Sequence, residues 1–245
     1  MKFNDFQMKL RVDLMPTGDE LAKMAQSRYK ITKSKIEKQF GSYLHKLMNL
    51  EFQLYKEKEV DCSSKIIEKA VKKKLLIDTG KFANSFARNY DNIWKFFLSI
   101  SQSRKSRAGG SFENHVRYLF ELLGYPFDTQ TILDGKVDYL IPSESAFRRN
   151  RSACVVISIK RTLRERWRQV VGELASINAG RIYLLTADED ISQNKVDEMK
   201  GHNVNLVIWD EYKKKSFKDS YNVLGFNQFI SEDLPSSRKL WERLT

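Results

Sequence analysis

Three ionisable side chains stand out by type and spacing: Asp138, Lys160 and Glu173. Asp138 interrupts the apolar run Val137, Tyr139, Leu140, Ile141 in a stretch, 136–142, that reads as a strand. A carboxylate inside a strand is costly unless it is paired or bound to a metal. The next strand alternates with period two, placing Cys154, Val156, Ser158 and Lys160 on one face and Ala153, Val155, Ile157 and Ile159 on the other. Lys160 therefore emerges at a strand end, where a sheet meets solvent. Spacing alone serves a structural Asp138–Lys160 salt bridge at least as well as catalysis. Glu173 shifts that balance. In the helix after Lys160, Arg166, Gln169 and Glu173 fall on one stripe by i+3 and i+4 steps, beside an apolar face of Trp167, Val170, Leu174 and Ile177. Glu173 can thus point back toward the strand ends. Mg²⁺ takes oxygen ligands, commonly one or two carboxylates with waters and phosphate oxygens. Asp138 and Glu173 are the candidate metal ligands, and Lys160 the group that would stabilise a pentavalent phosphate or help deprotonate the attacking water. The chemistry implied is metal-assisted phosphodiester hydrolysis.

The elements that must position these groups are legible around them. From Ser111, Phe112, Val116, Leu119, Phe120 and Leu123 make one apolar face of a helix that stops at Gly124-Tyr125-Pro126, with Glu113 and Arg117 spaced i, i+4 near its edge. The Asp138 and Lys160 strands follow. After them come a helix over 164–179, a strand at Ile182–Leu185, a helix near Lys195–Lys200 closed by Gly201, and a strand at Val204–Trp209. Such an order predicts an α/β class with a central mixed sheet flanked by helices. The tail from Glu211 reads as polar and irregular, with Lys213-Lys214-Lys215 as a solvated patch.

Residues 1–100 read as a mostly helical N-terminal region. Thr17-Gly18-Asp19-Glu20 opens like an N-cap with acids in the first turn, after Pro16. Helical spacing runs on from Leu21, weakens at Gly41, resumes from Leu44 to Leu54 and again over roughly 63–77, and is broken by Asp78-Thr79-Gly80. Ser101 to Gly110 is polar, basic and ends in two glycines. It is expected to be a loop and the domain boundary, giving a helical region 1–100 and a catalytic core 101–245. Arg104, Lys105 and Arg107 there are candidate phosphate contacts; a solvated linker is the plainer alternative.

The chain of 245 residues carries 43 basic against 31 acidic residues, a net charge of +12. That balance suggests a polyanionic partner, nucleic acid ahead of a membrane surface, because no basic amphipathic anchor stands out. No apolar run reaches the length of a bilayer span, and the start has no signal-peptide core. Two cysteines, Cys62 and Cys154, have no metal-ligand spacing and cannot build a disulfide scaffold, so a reducing cytoplasm is expected.

The separations from Asp138 to Lys160 and on to Glu173, with the string Arg164-Glu165-Arg166-Trp167-Arg168-Gln169, resemble the PD-(D/E)XK restriction endonucleases, in the group of EcoRII, SsoII, Ecl18kI and PspGI. The segment Ser106 to His115 resembles the one that opens the catalytic domain of that group. The likeness covers roughly residues 101–210. It implies a PD-(D/E)XK nuclease core in a type II restriction endonuclease, with Asp138 and Lys160 as family residues and Glu173 as the acid moved onto the helix. Ser158 stands where the ordinary motif has an acid. Glu113 would be the additional helical glutamate of the active site. Val137 departs from the proline of the family name.

The resemblance further implies that Arg164, Glu165 and Arg166 read C·G pairs. Their chemistry agrees, since arginine donates bidentately to G O6 and N7 and a carboxylate accepts from C N4. Also implied are Mg²⁺ as cofactor, double-stranded DNA as substrate, a homodimer, a CCNGG or CCWGG-type site, flipped central bases and a host methyltransferase as functional partner. Tyr29, Phe40, Tyr43, Phe52 and Tyr55 are aromatics from which a flipping platform could be drawn, though most read as core. Two other readings stay open: a repair or structure-directed nuclease of the same fold, and a non-catalytic DNA-binding protein.

Overall fold

Phe3 and Phe6 sit one helical step apart and both are buried, which lays the first helix, α1 (Phe3–Leu14), onto an apolar core. The structure is a computed structural model and describes residues 1–29, 31–131, 137–164, 167–177 and 179–242. Helix α2 (Gly18–Ser27) starts at Thr17 as expected. The Thr17 hydroxyl accepts from the Glu20 amide at 3.2 Å, and Glu20 accepts from the Thr17 amide at 2.7 Å. A reciprocal cap of this kind stabilises a helix start by about 1 kcal/mol.

Helix α3 (Lys33–Lys72) is two helical runs joined at a kink, in line with the weak point expected near Gly41, and it continues without a break through Ser63. Its kink is at Gln39 (φ −139°, ψ 34°), two residues before Gly41. Gly41 has a different role. Its amide donates to Asn227 Oδ1 at 3.2 Å, and a Cβ there would lie 2.9 Å from Asp210 Oδ2. The break at 78–80 is present: Asp78 Oδ1 accepts from the Gly80 amide and Ser85 Oγ from the Thr79 amide, each at 2.9 Å. Helices α4 (Phe82–Arg88) and α5 (Tyr90–Leu123) follow.

The expected loop at 101–110 is helical, in the middle of the 34-residue α5. Two mid-helix glycines cost roughly 1 kcal/mol each. Burial of Ile100 and Phe112 on either side offsets that cost, and so do the arginines between them. Arg104 forms a bidentate ion pair with the buried carboxylate of Glu59. Arg107 donates to the Pro16 carbonyl at 2.8 Å and lies over the Tyr55 ring. Lys105 is exposed.

The chain forms two compact units, Met1–Tyr29 with Lys46–Asn114, and Lys30–His45 with His115–Thr245. The regular elements of the first among the described residues are all helices, packed around Phe3, Phe6, Leu21, Ile66 and Phe96. No described helix is long and apolar enough to cross a membrane.

The second unit holds a six-stranded mixed sheet in sequential order: β1 (Asp128–Thr129), β2 (Tyr139–Ile141), β3 (Val155–Lys160), β4 (Arg181–Thr186), β5 (Val204–Ile208) and β6 (Val223–Gly225). β1, β2 and β3 pair antiparallel; β3 to β6 pair parallel. The helices are α6 (Glu144–Arg149), α7 (Trp167–Ser176), α8 (Gln193–Gly201), α9 (Asp210–Ser216), α10 (Phe226–Gln228) and α11 (Leu234–Trp241). Val156, Ile182, Leu184 and Leu206 pack on one face with Trp167, Val171, Leu174 and Met199 from α7 and α8. On the other face, Tyr139 meets Phe120 and Phe127, and Tyr183 meets Phe229. This is the α/β arrangement expected.

The tail from Glu211 is not irregular. It carries α9, β6, α10 and α11, with Val223, Phe226, Phe229, Ile230 and Leu234 buried. A three-residue strand has no readable period, and β6 exists because Leu206, Val207 and Ile208 of β5 pair with it. Both cysteines are free and buried, and burial pushes the Cys154 thiol up to about 11.

Entry into β4 depends on close backbone approach. A Cβ on Gly180 would lie 2.3 Å from the Ser152 carbonyl oxygen, whereas a Cβ on Gly172 of α7 would meet nothing within 4 Å. Gly180→Ala is expected to destabilise the protein by about 1–3 kcal/mol. Gly172→Ala should stabilise α7 by up to about 1 kcal/mol. Thermal midpoints of the two variants should move in opposite directions.

Candidate active site

Asp138 lies just before β2, where the antiparallel ladder with β3 ends. Its amide donates to the Ile157 carbonyl at 3.2 Å, and Tyr139 is the register partner of Ile157. Past this point the amides of β3 lack a strand partner on that side, and the Asp138 side chain takes their place. Its Oδ2 accepts from the Ile159 amide at 2.6 Å, from Ser158 Oγ at 3.0 Å and from Lys160 Nζ at 3.4 Å. The residue is 8 % exposed, so these donors offset the desolvation of a buried carboxylate. No donor among the described residues reaches its Oδ1. Lys160 closes β3 with a side chain 41 % exposed, bringing its amine to the solvent side of the pair. The expected Asp138–Lys160 pairing is therefore present. Ser158, in the place of the usual acid, supplies a hydrogen bond to Asp138.

Glu173 lies on the exposed side of α7, and its Oε1 accepts from Gln169 Nε2 at 2.9 Å, one helical turn away. The buried stripe of that helix is Trp167, Val171 and Leu174, with Val170 packed at the edge of the cluster. Arg168 pairs with Glu198 of α8 and lies over the Trp167 ring. Arg164 is exposed, and its carbonyl accepts from the Trp167 amide at 3.3 Å. Glu165 and Arg166 lie outside the described residues. Glu113 is half-buried in α5, in the helical unit. Of the aromatics considered for a flipped base, Phe40 and Tyr55 are buried and Phe52 is exposed. Among the described residues, no three His, Cys, Asp or Glu side chains are grouped to hold a metal ion.

A hard divalent cation fits what is present. It takes oxygen ligands, needs only one or two carboxylates when phosphate oxygens and waters complete its shell, and would find Asp138 Oδ1 free of donors among the described residues.

A family model described as EcoRII C terminal matches residues 65–230. The type II restriction enzyme SsoII of Shigella sonnei is 32% identical over 164 residues, covering 63% of this chain and 53% of that protein. The type II restriction enzyme EcoRII of Escherichia coli is 36% identical over 150 residues, covering 58% of this chain and 37% of that protein. The aligned stretch thus spans about half the length of the first relative and less of the second. Among solved structures, metal-depleted Ecl18kI in complex with uncleaved DNA superposes with a TM-score of 0.84 at 24% identity, covering 97% of this chain and 84% of that one. The restriction endonuclease PspGI–substrate DNA complex gives a TM-score of 0.61 at 19% identity, covering 98% and 94%. These likenesses establish a shared fold.

Proposed function

The chain belongs to the EcoRII C-terminal family, and on that footing we propose that it is a type II restriction endonuclease that hydrolyses phosphodiesters in double-stranded DNA with Mg²⁺. The observation that carries this reading is the Asp138–Ser158–Lys160 arrangement: a buried carboxylate with one oxygen held by three donors, of which the Lys160 amine lies on its solvent side. Asp138 and Glu173 would hold the cation. When bound, Mg²⁺ supplies charge neutralisation at the scissile phosphate and a more acidic water. Lys160 donates to a phosphate oxygen, stabilising the charge that builds in the pentavalent transition state. Ser158 and the Ile159 amide keep Asp138 from turning away. Glu113 is the further acid.

Arg164, Glu165 and Arg166 read a CC/GG half-site from the major groove, and a homodimer reads two, giving a CCNGG or CCWGG-type sequence with its central bases flipped. The helical unit, Met1–Tyr29 with Lys46–Asn114, serves dimerisation and DNA contacts, and the sheet-bearing unit carries the strand residues of the cutting chemistry. Phe82, Trp94 and Phe97 of the helical unit, all largely exposed, offer an apolar surface for the dimer. Lys105, and the outer parts of Arg104 and Arg107, contact phosphates. A host methyltransferase in the same cytoplasm protects the genome.

Incubation with a mapped plasmid and Mg²⁺, followed by sequencing of the ends, tests the reading. The expected result is cutting at one pseudo-palindrome containing CC and GG. Ends scattered over random duplex would point to a structure-directed nuclease, and intact plasmid to a DNA-binding protein.

A further inference from the structure

Three residues, Arg161 to Leu163, separate the proposed cutting lysine, Lys160, from the proposed base reader Arg164. Their backbone is held from the end of β4, the loop after it and the first turn of α8. Thr186, the register partner of Lys160 and fully buried, donates its hydroxyl to the Arg161 carbonyl at 3.2 Å. Asp188 Oδ2 accepts from the Leu163 amide at 2.6 Å. Lys195 Nζ donates to the Leu163 carbonyl at 3.0 Å. Both main-chain groups of one residue are thus gripped by charged side chains of opposite sign, and the Leu163 side chain is buried in the core. The gripping loop is itself braced. Asp188 Oδ1 accepts from the Asp190 amide at 3.1 Å, Trp209 Nε1 donates to the Ala187 carbonyl at 3.2 Å, and Tyr212 accepts from the Ile191 amide at 3.2 Å.

We infer that Asp188 and Lys195 are positioning residues that lock the link between cutting and reading, so that base recognition and the active site move as one body. This rests on the base-reading role proposed for Arg164. A bidentate arginine–guanine contact tolerates only about 0.5 Å and 10–20° of misplacement. Charge-assisted hydrogen bonds to main-chain groups are the strongest non-covalent means of holding a loop within that range.

The test uses the full chain and two short duplexes, one carrying the sequence mapped from the plasmid ends and one altered at a single C·G pair, with Ca²⁺ replacing Mg²⁺ during binding. Asp188→Ala and Lys195→Met are expected to lower the preference for the mapped duplex by about tenfold to a hundredfold, the scale of one charge-assisted hydrogen bond. Affinity for a random duplex should be unchanged, and Lys195→Arg should restore the preference. A merely structural role would lower the thermal midpoint without moving the ratio between duplexes. An unaltered ratio in both variants overturns the inference; should Asp188→Ala fail to fold, Lys195→Met with its arginine rescue decides alone. Arg164→Ala, run beside them, separates the two ideas. Lost preference there with intact preference in the clamp variants sinks only the clamp, whereas intact preference in Arg164→Ala sinks the reader, and the clamp's link to it.

Discussion

Lys160→Ala is expected to slow DNA cleavage by about a thousandfold or more while leaving sequence-specific binding in Ca²⁺ largely intact. The amine is on the solvent side of its pair, and its removal leaves Asp138 with the Ile159 and Ser158 donors. The stability cost should therefore be that of a partly exposed ion pair, about 0–1 kcal/mol. Asp138→Ala is a harsher change. It strips the acceptor from a buried amide and a buried hydroxyl, at about 1–3 kcal/mol for each group left unpaired. Asp138→Asn retains an acceptor oxygen for Ile159 and is the cleaner test of the carboxylate's charge. Single-turnover cleavage, binding in Ca²⁺ and thermal midpoints should be measured on all three. Parallel loss of folding, binding and cutting in Lys160→Ala would reduce the pair to a structural salt bridge.

Removing the arginines of the proposed recognition segment should have the second largest effect. Arg164→Ala and Arg166→Ala are each expected to cost about 1–3 kcal/mol of discrimination at the base pair they read, roughly 10- to 150-fold in relative affinity. Binding to random duplex should fall far less, because one lost positive charge changes the salt slope by only about one unit. Arg164 is exposed at the end of the gripped link, so its truncation removes no buried contact. Binding to duplexes altered one pair at a time checks the result. A variant that keeps the wild-type order of preferences would remove that arginine from the recognition element.

The candidate site was readable because a charged residue in an apolar strand announces itself. Asp138 breaks a hydrophobic run and Lys160 ends an alternating one, so their pairing follows from strand geometry. Helix α7 was readable too, although its inward stripe falls on Val171 where Val170 was expected. The segment 101–110 misled because its local composition is that of a loop. Its helicity is imposed from outside, by a long-range ion pair from Arg104 to Glu59 and by buried turns on either side. The tail misled for the opposite reason: its apolar residues are sparse, and their burial comes from a sheet edge and helices distant in sequence.

Alternation, charge placement and the acid–lysine–acid spacing were enough, by themselves, to determine the mixed α/β sheet, the strand ends that bear Asp138 and Lys160, and the basic helix that follows. Each depends on side-chain period along a single element, which is written locally. Tertiary structure alone decided that Ser158 and the Ile159 amide hold the aspartate, that Arg104 and Arg107 serve the helical unit's own contacts, and that Asp188 and Lys195 grip the link before Arg164. Those pairings join residues up to 91 positions apart, and no local period encodes them. In the sheet-bearing unit they follow from which strand lies beside which, and in the helical unit from which helices pack together, and both are settled only when each core closes.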